Sequence, residues 1–436
     1  MPSFTISTAV TTTQTLSAGE TGVVTSTGSV IEATVNAAVQ ISGAHSMSLS
    51  TPLLNNAGTI RANASPTSAG VYFGGASGGA YIVNTGIIEG AFGIYAAETG
   101  IGIVLDNAGT LGGSNGAVVF GGSSDMLILR NGSFITALVA DDGGIDWVNY
   151  AGWTGTGIVI TLGGAFTGSA ANITGFENVY GSEQTDVITG DGLANVLVGL
   201  GGRDTIHGGG GNDVLWGLLD RDSLMGGGGD DTLYGGADND RMEGGTGNDT
   251  YQVTDGLDVV TELAGEGFDV VFTTVSWLVT SAHVEGVYAV GSDITLTGGT
   301  SDDVLVADAA AGSILDGRDG ADTLWGQAGA DVLTGGNGND VLRGGGSLDQ
   351  LTGGAGDDQL VGGAGNDIFV WVLTAPFGTD EVFDWSRAQA DQLRFFGAQQ
   401  QAVITVVGGN TIVTLAQGTI HLYGVTDLTQ QDLLFV

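Results

Sequence analysis

Residues 226–234 read GGGGDDTLY and residues 335–343 read GGNGNDVLR, and this nine-residue pattern decides the fold. Residues 181–252 divide without remainder into eight such units, residues 317–370 into six, and an outlying unit spans residues 298–306. Position six of a unit is Asp in every case but one, and position eight is a large apolar or aromatic residue. A disordered Gly/Asp-rich linker would not keep this phase, so the pattern indicates a folded repeat.

The two halves of each unit favour different backbone structures. The Gly-rich half suits a tight turn with positive φ angles, and the half around position eight suits a three-residue strand. If strand and turn alternate, two units close one 18-residue coil, and successive coils stack as parallel strands about 4.8 Å apart. Position eight then points inward as a thin core, and position six places carboxylates above one another in columns.

Those columns require cations. A pair of carboxylates stacked at about 4.8 Å costs about 3 kcal/mol in an effective dielectric near 20. Calcium fits because it takes six to eight oxygen ligands at about 2.3–2.6 Å, and carboxylates and turn carbonyls supply oxygens. We therefore predict Ca²⁺ as the cofactor. The candidate ligands are Asp186, Asn195, Asp204, Asp213, Asp222, Asp231, Asp240, Asp249, Asp303, Asp322, Asp331, Asp340, Asp349, Asp358 and Asp367.

The overall charge agrees with this cofactor. The 436 residues carry 48 acidic and 9 basic side chains, all nine of them arginines, for a net charge of −39. Without basic patches, nucleic acid is excluded as a partner. No continuous apolar run is long enough to span a membrane, and the chain has no cysteine, so disulfides and thiolate sites are excluded as well.

The nonapeptides resemble the RTX (repeat-in-toxin) family of calcium-binding β-rolls. Pairing position six across one coil gives six sites from the eight units and four from the six units, or about ten calcium sites. Some units depart from the pattern. Asn195 lacks a charge, Leu218 and Leu219 interrupt one Gly turn, and Ser347 and Leu348 interrupt another. We expect these departures to weaken the sites that contain them.

The C-terminal part also resembles RTX architecture. Residues 383–395 look like a terminal RTX loop in which Asp384 and Asp391 are candidate ligands of one last calcium, with a solvated acidic turn as the alternative. Alternating residues in 402–424 predict antiparallel strands that cap the roll. The last five residues, 432–436, are similar to the uncleaved C-terminal signal of type I secretion substrates. This similarity implies an extracellular or cell-surface protein.

The front of the chain holds a different repeat. Asn56-Ala57-Gly58-Thr59-Ile60 recurs as Asn84-Thr85-Gly86-Ile87-Ile88 and Asn107-Ala108-Gly109-Thr110-Leu111. A companion motif follows each copy, beginning at Gly70, Gly93 and Gly116. A coil of about 23 residues with Asn at one corner predicts a parallel β-helix in which the amides form a ladder. Unrelated β-sandwich strands are the alternative.

Together these features predict an all-β chain: a right-handed parallel β-helix and β-roll solenoid with calcium-binding RTX repeats and a C-terminal antiparallel β cap. The predicted segments are a β-helix-like domain for assembly or ligand binding (1–140), lead-in coils (141–180), a first β-roll (181–252), a strand-rich spacer (253–297), a second β-roll (298–370) and a cap with secretion signal (371–436).

Two functions are compatible with this architecture. The chain has neither an H-E-x-x-H motif nor a cysteine nucleophile, and no catalytic residue is predicted. We favour a surface-layer or matrix protein that folds and self-assembles in calcium, its uncharged segment Thr5–Gly19 pairing with a neighbouring chain or forming an internal cap. The alternative is a secreted polysaccharide-active enzyme or glycan-binding adhesin, with cell-surface polysaccharide as partner.

Overall fold

A computed structural model describes residues 4–6, 9–10, 14–16, 22–24, 29–32, 37–45, 54–62, 69–96, 100–135, 139–140, 143–164, 173–279, 281, 283–291, 293–308, 312–397 and 401–436. The chain divides into two compact units, Met1–Gly227 and Gly228–Val436. Within the described ranges the regular elements are β-strands and one 3-10 helix at Gln430–Asp432. No helix there has the length and apolarity needed to cross a bilayer.

The first unit contains strands β1 to β24, the last of which ends one residue beyond the boundary. Strands β1–β12 are Phe4–Ile6, Ala9–Val10, Gln14–Leu16, Gly22–Val24, Ser29–Glu32, Ala37–His45, Leu54–Asn56, Thr59–Ala62, Ala69–Asn84, Ile87–Tyr95, Gly100–Asn107 and Thr110–Val119. Strands β13–β24 are Met126–Leu129, Phe134–Ile135, Val139–Ala140, Trp147–Asn149, Val159–Thr161, Ile173–Thr174, Asn178–Tyr180, Val187–Thr189, Val196–Gly201, Thr205–Gly210, Val214–Leu219 and Ser223–Gly228.

The second unit contains strands β25 to β46. Strands β25–β35 are Thr232–Gly236, Arg241–Thr246, Thr250–Val253, Val259–Thr261, Val270–Thr273, Trp277–Leu278, Gly286–Ala289, Thr295–Thr297, Val304–Val306, Ile314–Asp319 and Thr323–Trp325. Strands β36–β46 are Val332–Asn337, Val341–Gly346, Gln350–Ala355, Gln359–Ala364, Ile368–Val372, Gly378–Val382, Gln392–Phe396, Val403–Val407, Asn410–Thr414, Gly418–Leu422 and Leu433–Phe435.

The front of the first unit is a parallel β-solenoid, as predicted. Strand β7 pairs in parallel with β9, β9 with β11 and β11 with β13, which stacks Leu54, Ile82, Leu105 and Leu127 in one fully buried column. The Asn repeat follows the same register, because Asn56 pairs with Asn84 and Asn84 with Asn107. Since these strands pair in parallel coil upon coil, the β-sandwich alternative is wrong.

The companion motif is in register for two of its three copies. Tyr72 pairs with Tyr95, so the copies at Gly70 and Gly93 match. In the third copy Ile94 pairs with Val118 rather than with Ala117, one residue later than predicted. A β-bulge causes this shift, since the register slips by one residue just after Gly90 and β12 absorbs the extra residue.

Both nonapeptide runs form the predicted 18-residue coils. In the first unit Leu197 pairs with Leu215, and in the second unit Leu324 pairs with Leu342. The position-eight side chains of both runs are at most 1% exposed. Each coil therefore contributes one large apolar residue from each of its two sides to a narrow core, which confirms the inward direction of position eight.

The strand-rich spacer also forms parallel coils. Tyr251 pairs with Val271, Val271 with Val287 and Val287 with Leu305. The coil length varies along this path because the loops between strands differ in length. The inward-facing core column nevertheless continues from one strand to the next.

Strands β43, β44 and β45 form an antiparallel group, as predicted. Strand β43 pairs with β44 and β44 with β45, and both pairings are antiparallel. Strand β45 pairs in parallel with β41, which fixes the antiparallel strands to the solenoid. The last strand, β46, pairs with β42 and stacks Phe435 on Phe395 with ring centroids 5.1 Å apart. The finer segment boundaries at 140, 180, 252, 297 and 370 remain predictions.

Candidate calcium-binding ladders

The carboxylates at position six lie inside the solenoid in regular ladders. In the first unit the backbone N–H of Asp186 donates to Oδ1 of Asp204 at 2.7 Å, and that of Asp204 donates to Oδ1 of Asp222 at 2.8 Å. In the second unit the N–H of Asp322 donates to Oδ1 of Asp340 at 2.8 Å. Each Asp thus links its own coil to the coil 18 residues before it, and alternate nonapeptides fall in separate columns.

Every predicted position-six ligand is buried. These side chains are at most 4% exposed, and they are Asp186, Asn195, Asp204, Asp213, Asp222, Asp231, Asp240, Asp249, Asp303, Asp322, Asp331, Asp340, Asp349, Asp358 and Asp367. Asn195 keeps its place in a ladder despite its missing charge, since its N–H donates to Oδ1 of Asp213 at 2.7 Å. The structure therefore brings together, coil upon coil, the residues that the repeat phase predicts.

The ladder leaves one oxygen without a donor in eight of these carboxylates. Oδ2 is buried and accepts no hydrogen bond from any described residue in Asp204, Asp249, Asp322, Asp331, Asp340, Asp349, Asp358 and Asp367. An uncompensated buried carboxylate oxygen costs several kcal/mol unless a cation or donor reaches it. The residues present therefore fit a hard divalent cation such as Ca²⁺, which takes oxygen ligands.

The Gly at position one makes room for that oxygen. At Gly326, a Cβ would lie 2.5 Å from Oδ2 of Asp331, and at Gly362 it would lie 2.5 Å from Oδ2 of Asp367. Neither glycine has a positive φ, so close approach of the carboxylate rather than backbone conformation demands the missing side chain. A larger residue here would displace the carboxylate.

Burial raises the pKa of several ladder carboxyls far above the ordinary value. Desolvation is the largest cause throughout, followed by backbone hydrogen bonds that lower the pKa and by neighbouring carboxylates that raise it. The pKa is raised to about 8 for Asp204, to about 7 for Asp322 and Asp358, and to about 6 for Asp340. Without a cation, the fold therefore favours the protonated form of these groups.

Two Gly turns with substitutions keep their conformation. Positions two and four of a unit usually carry glycine with positive φ, for example 119° at Gly336 and 134° at Gly338. Leu218 and Asp220 hold these positions in one unit with φ of 85° and 70°. Ser347 holds position four of another unit with φ of 84°. The turns are retained, but non-glycine residues pay about 1–2 kcal/mol for this conformation.

Several ladder members lie outside the nonapeptides and were missed. Asp240 donates its N–H to Oδ1 of Asp258 at 3.0 Å, and Asp358 donates its N–H to Oδ1 of Asp380 at 3.2 Å. In the first unit the N–H of Asp125 donates to Oδ1 of Asp146 at 2.6 Å. A shorter signal finds all of them, because each Asp stands two residues before a buried apolar residue, as in Asp258-Val259-Val260, Asp380-Glu381-Val382 and Asp146-Trp147-Val148.

The terminal loop contributes one clear ladder member. The N–H of Asp367 donates to Oδ1 of Asp391 at 2.9 Å, so Asp391 continues the column. Both oxygens of Asp384 accept backbone N–H groups, from Gly362 at 2.9 Å and from Gly363 at 2.7 Å. Asp384 is half-buried and not part of the column. The structure places both residues near the end of the roll, and whether they bind calcium remains a prediction.

A serine motif in the front solenoid was also missed. Residues 75–79 and 112–116 both read G-x-S-x-G, the spacing of a hydrolase nucleophile elbow. That elbow is a turn from a strand into a helix, whereas these segments lie within strands β9 and β12. Ser114 is exposed, and its Oγ lies 3.5 Å from Oδ1 of Asn115. This geometry does not supply an elbow at Ser114.

The fold and the ladders define a class: a β-solenoid whose coils present buried carboxylates to cations. A family model of the RTX calcium-binding nonapeptide repeat matches the chain in four copies, at residues 189–224, 216–251, 310–342 and 334–369. These parts of the chain are RTX calcium-binding repeats, as the sequence predicts.

Comparisons with whole proteins give only a weak structural match. The extracellular lipase LipA from Serratia marcescens is similar in structure with a TM-score of 0.24 and 17% sequence identity, over 60% of this chain. The chain spans 40% of the length of that lipase. No curated protein matches the chain.

Proposed function

We propose that this chain is a secreted, non-enzymatic, calcium-binding structural protein of surface-layer or matrix type. It folds and self-assembles in calcium after type I secretion. The buried position-six ladders carry the proposal, because their unpartnered oxygens need cations that extracellular fluid supplies. Extracellular calcium modules bind with dissociation constants of about 10⁻⁴–10⁻³ M, too weakly for the cytosol, which suits folding after export.

The C-terminal segment supports export in the proposed route. It combines the sequence similarity of residues 432–436 to a type I signal with a short strand, β46, at the edge of the fold. Deletion of residues 426–436 should retain the protein inside producing cells. Normal export of the shortened chain would argue against type I secretion.

The first coil supports self-association. Strands β1, β2 and β3 pair with β4, β5 and β6, and the described pairings use only one edge of each of the three. An edge with unpaired N–H and C=O groups invites a strand of another chain unless charge or a cap blocks it. Residues 1–19 carry no charged side chain. The parts of Thr5–Gly19 between these strands lie outside the described residues.

A charge in the first coil tests self-assembly. Val10→Glu should abolish assembly at millimolar calcium, because the carboxylate opposes strand pairing with a neighbouring chain. Val10→Thr keeps the β-branched shape without a charge and should assemble like the wild type. Light scattering and electron microscopy measure assembly, and circular dichroism checks that calcium still folds the rolls of both variants.

A monomeric wild type under these conditions would overturn the structural role. Glycan binding would then be the better candidate for the front solenoid. There Tyr72 and Tyr95 stack with ring centroids 6.0 Å apart, and Phe92 lies 4.9 Å from Tyr95. Half-buried aromatic rings of this kind suit contact with sugar rings.

A further inference from the structure

Three buried carboxylates meet at the end of the first nonapeptide run. Asp249, Glu262 and Asp269 each offer one oxygen, and these oxygens lie within 4.8 Å of one another. Their side chains are 0%, 3% and 1% exposed. Only Asp249 belongs to a nonapeptide, so the repeat pattern assigns no role to the other two.

The register explains why the three side chains converge. The N–H of Asp249 donates to Oδ1 of Asp269 at 2.8 Å, so Asp269 is the next member of the ladder. Glu262 follows the buried Val260 by two residues, the place that position-one Gly takes after position eight in a nonapeptide. That place faces the coil interior. In the nonapeptides the glycine at this place leaves space beside an Asp. Glu262 fills the equivalent space with a third carboxylate.

Hydrogen bonds hold Glu262 in this direction. Its backbone N–H donates to Oγ of Ser281 at 3.0 Å, and the Ser281 hydroxyl donates to the Glu262 carbonyl at 3.0 Å. The hydroxyl of the buried core residue Tyr251 donates to Oε1 of Glu262. The backbone N–H of Gly244 in turn donates to the Tyr251 hydroxyl oxygen at 2.5 Å. Glu262 is thus positioned by three residues from other parts of the coil.

Two oxygens of the cluster are left without a donor. Oε2 of Glu262 and Oδ2 of Asp249 are buried and accept no hydrogen bond from any described residue. Each belongs to a side chain more than nine-tenths buried. Since an unpartnered carboxylate oxygen in the interior is costly, these atoms point to a ligand that the protein itself does not provide.

No positive side chain compensates the cluster within the described residues. The charged groups that act on Glu262 are Asp269, Asp249 and Glu266, all of them acidic. The salt bridges of the described residues lie elsewhere, at Arg61–Glu89, Arg130–Asp106, Arg387–Asp427 and Arg387–Asp432. Burial and these neighbours raise the pKa of Glu262 to about 9. A cation is the missing partner.

We propose that Asp249, Glu262 and Asp269 bind one Ca²⁺ inside the coil, at a site that the nonapeptide pattern does not encode. The inference rests on the proposed calcium-dependent function. An ion about 2.4 Å from each ligand allows ligand oxygens up to about 4.8 Å apart, which matches the observed spread. The ion lies at the end of the first roll, where the Gly-rich repeats end and the spacer begins.

The test compares Glu262→Gln with Glu266→Gln in the full chain. Each variant replaces a carboxylate by an isosteric amide, and the two sites are four residues apart in the sequence. Glu266 is a suitable control because it is only half-buried and lies outside the cluster, where its carboxylate accepts the Leu263 N–H at 2.8 Å. Native mass spectrometry counts bound calcium. We expect Glu262→Gln to bind one ion fewer per chain than the wild type, and Glu266→Gln to bind the wild-type number.

The melting temperature in saturating calcium gives a second measurement with opposite signs. If the ion binds, Glu262→Gln removes a ligand and lowers the melting temperature. If no ion binds, the same change removes a buried acid that must take up a proton when the chain folds, and it raises the melting temperature. An unchanged ion count or a raised melting temperature overturns the site. Should Glu262→Gln fail to fold, Asp269→Asn decides by the same count. A wild type that binds no calcium would instead overturn the calcium-dependent function.

Discussion

The front solenoid and the second roll both stack a polar residue coil upon coil, but the two ladders differ in chemistry. In the front, Nδ2 of Asn56 donates to Oδ1 of Asn84 at 2.8 Å, and Nδ2 of Asn84 donates to Oδ1 of Asn107 at 2.7 Å. In the roll, Asp340 and Asp358 accept backbone N–H groups and keep one oxygen unpartnered. An amide both donates and accepts, so each Asn satisfies its neighbour, whereas carboxylates only accept.

The difference shows that solenoid geometry does not by itself decide dependence on metal. Parallel coils and a narrow apolar core occur in both regions, and all three front asparagines are fully buried like the ladder aspartates. The front ladder is complete without a ligand. The roll ladder is complete only with cations, which makes binding free energy part of folding free energy there.

Calcium removal should produce the largest difference in stability between the two regions. In EDTA we expect the roll to unfold, because its stacked carboxylates lose their cations, while the front solenoid stays folded. Hydrogen exchange followed by mass spectrometry measures this: amides of β36 and β38 should exchange rapidly, and those of β9 and β11 should stay protected. Full β structure by circular dichroism in EDTA would contradict the distinction.

Acidification should partly replace calcium in the roll. The folded-state pKa is raised to about 7 for Asp322 and Asp358 and to about 8 for Asp380. The unfolded value is near 3.9, so between about pH 4 and pH 8 the ion-free folded state binds more protons than the unfolded state. Its stability therefore falls as pH rises through this window and returns as pH falls.

The corresponding measurement is circular dichroism in EDTA from pH 8 down to pH 5. We expect the β signal of the rolls to increase over several pH units. The Asn ladder does not titrate, so the front solenoid should contribute a β signal that stays constant over this pH range. An ion-free roll whose β content is the same at pH 5 and pH 8 would show that carboxylate charge does not limit its folding.

A single carboxylate in the front ladder should create there the buried, unpartnered oxygen that the roll ladders contain. Asn84→Asp removes the donor that Asn107 accepts and places two oxygens against each other. We expect a loss of about 3 kcal/mol in the unfolding free energy of the front, measured by urea denaturation in EDTA. Asn115→Asp makes the same change at an exposed position and should leave stability within about 0.5 kcal/mol. Equal stability of the two variants would refute the role of the ladder.

The smallest effect concerns a strained turn of the first roll. Leu218 has φ of 85°, a conformation that glycine adopts without strain. Leu218→Gly should therefore raise stability in calcium by about 1 kcal/mol, seen as a higher melting temperature. Leu219→Gly, at the exposed neighbour without positive φ, gains no such relief and should be neutral or destabilising. The opposite order would mean that turn strain does not limit this roll.

Much of the fold was predictable because its period is written in the sequence. Strict spacing of nine residues fixed the 18-residue coil, the inward direction of Leu333 and Leu351 and the place of each Asp within the nonapeptides. The Asn ladder was predictable from only three copies, since a residue that bonds to its own kind must recur at one corner. A strict period is thus sufficient in the rolls, and a recurring corner residue is sufficient in the front, where the asparagines are 28 and 23 residues apart.

The remaining features depend on loop lengths and on local strain. Asp269 follows Asp249 by 20 residues and Asp380 follows Asp358 by 22, so counting in nines passes over both. The one-residue bulge in β12 shifted the companion motif in the same way. The Glu262 cluster was missed for a further reason. Its three members are separated in sequence, and the folded coil brings Glu262 to the others beside the Tyr251 hydroxyl.

The 18-residue coil also constrains how such a chain can change in length. Removing one nonapeptide would rotate everything after it by half a coil and move each strand to the opposite face, so Asp349 would take the column of Asp340. Removing two would leave every later residue in its own column. Viable insertions and deletions should therefore come in pairs of nonapeptides, and the contiguous runs do contain eight and six units, both even numbers.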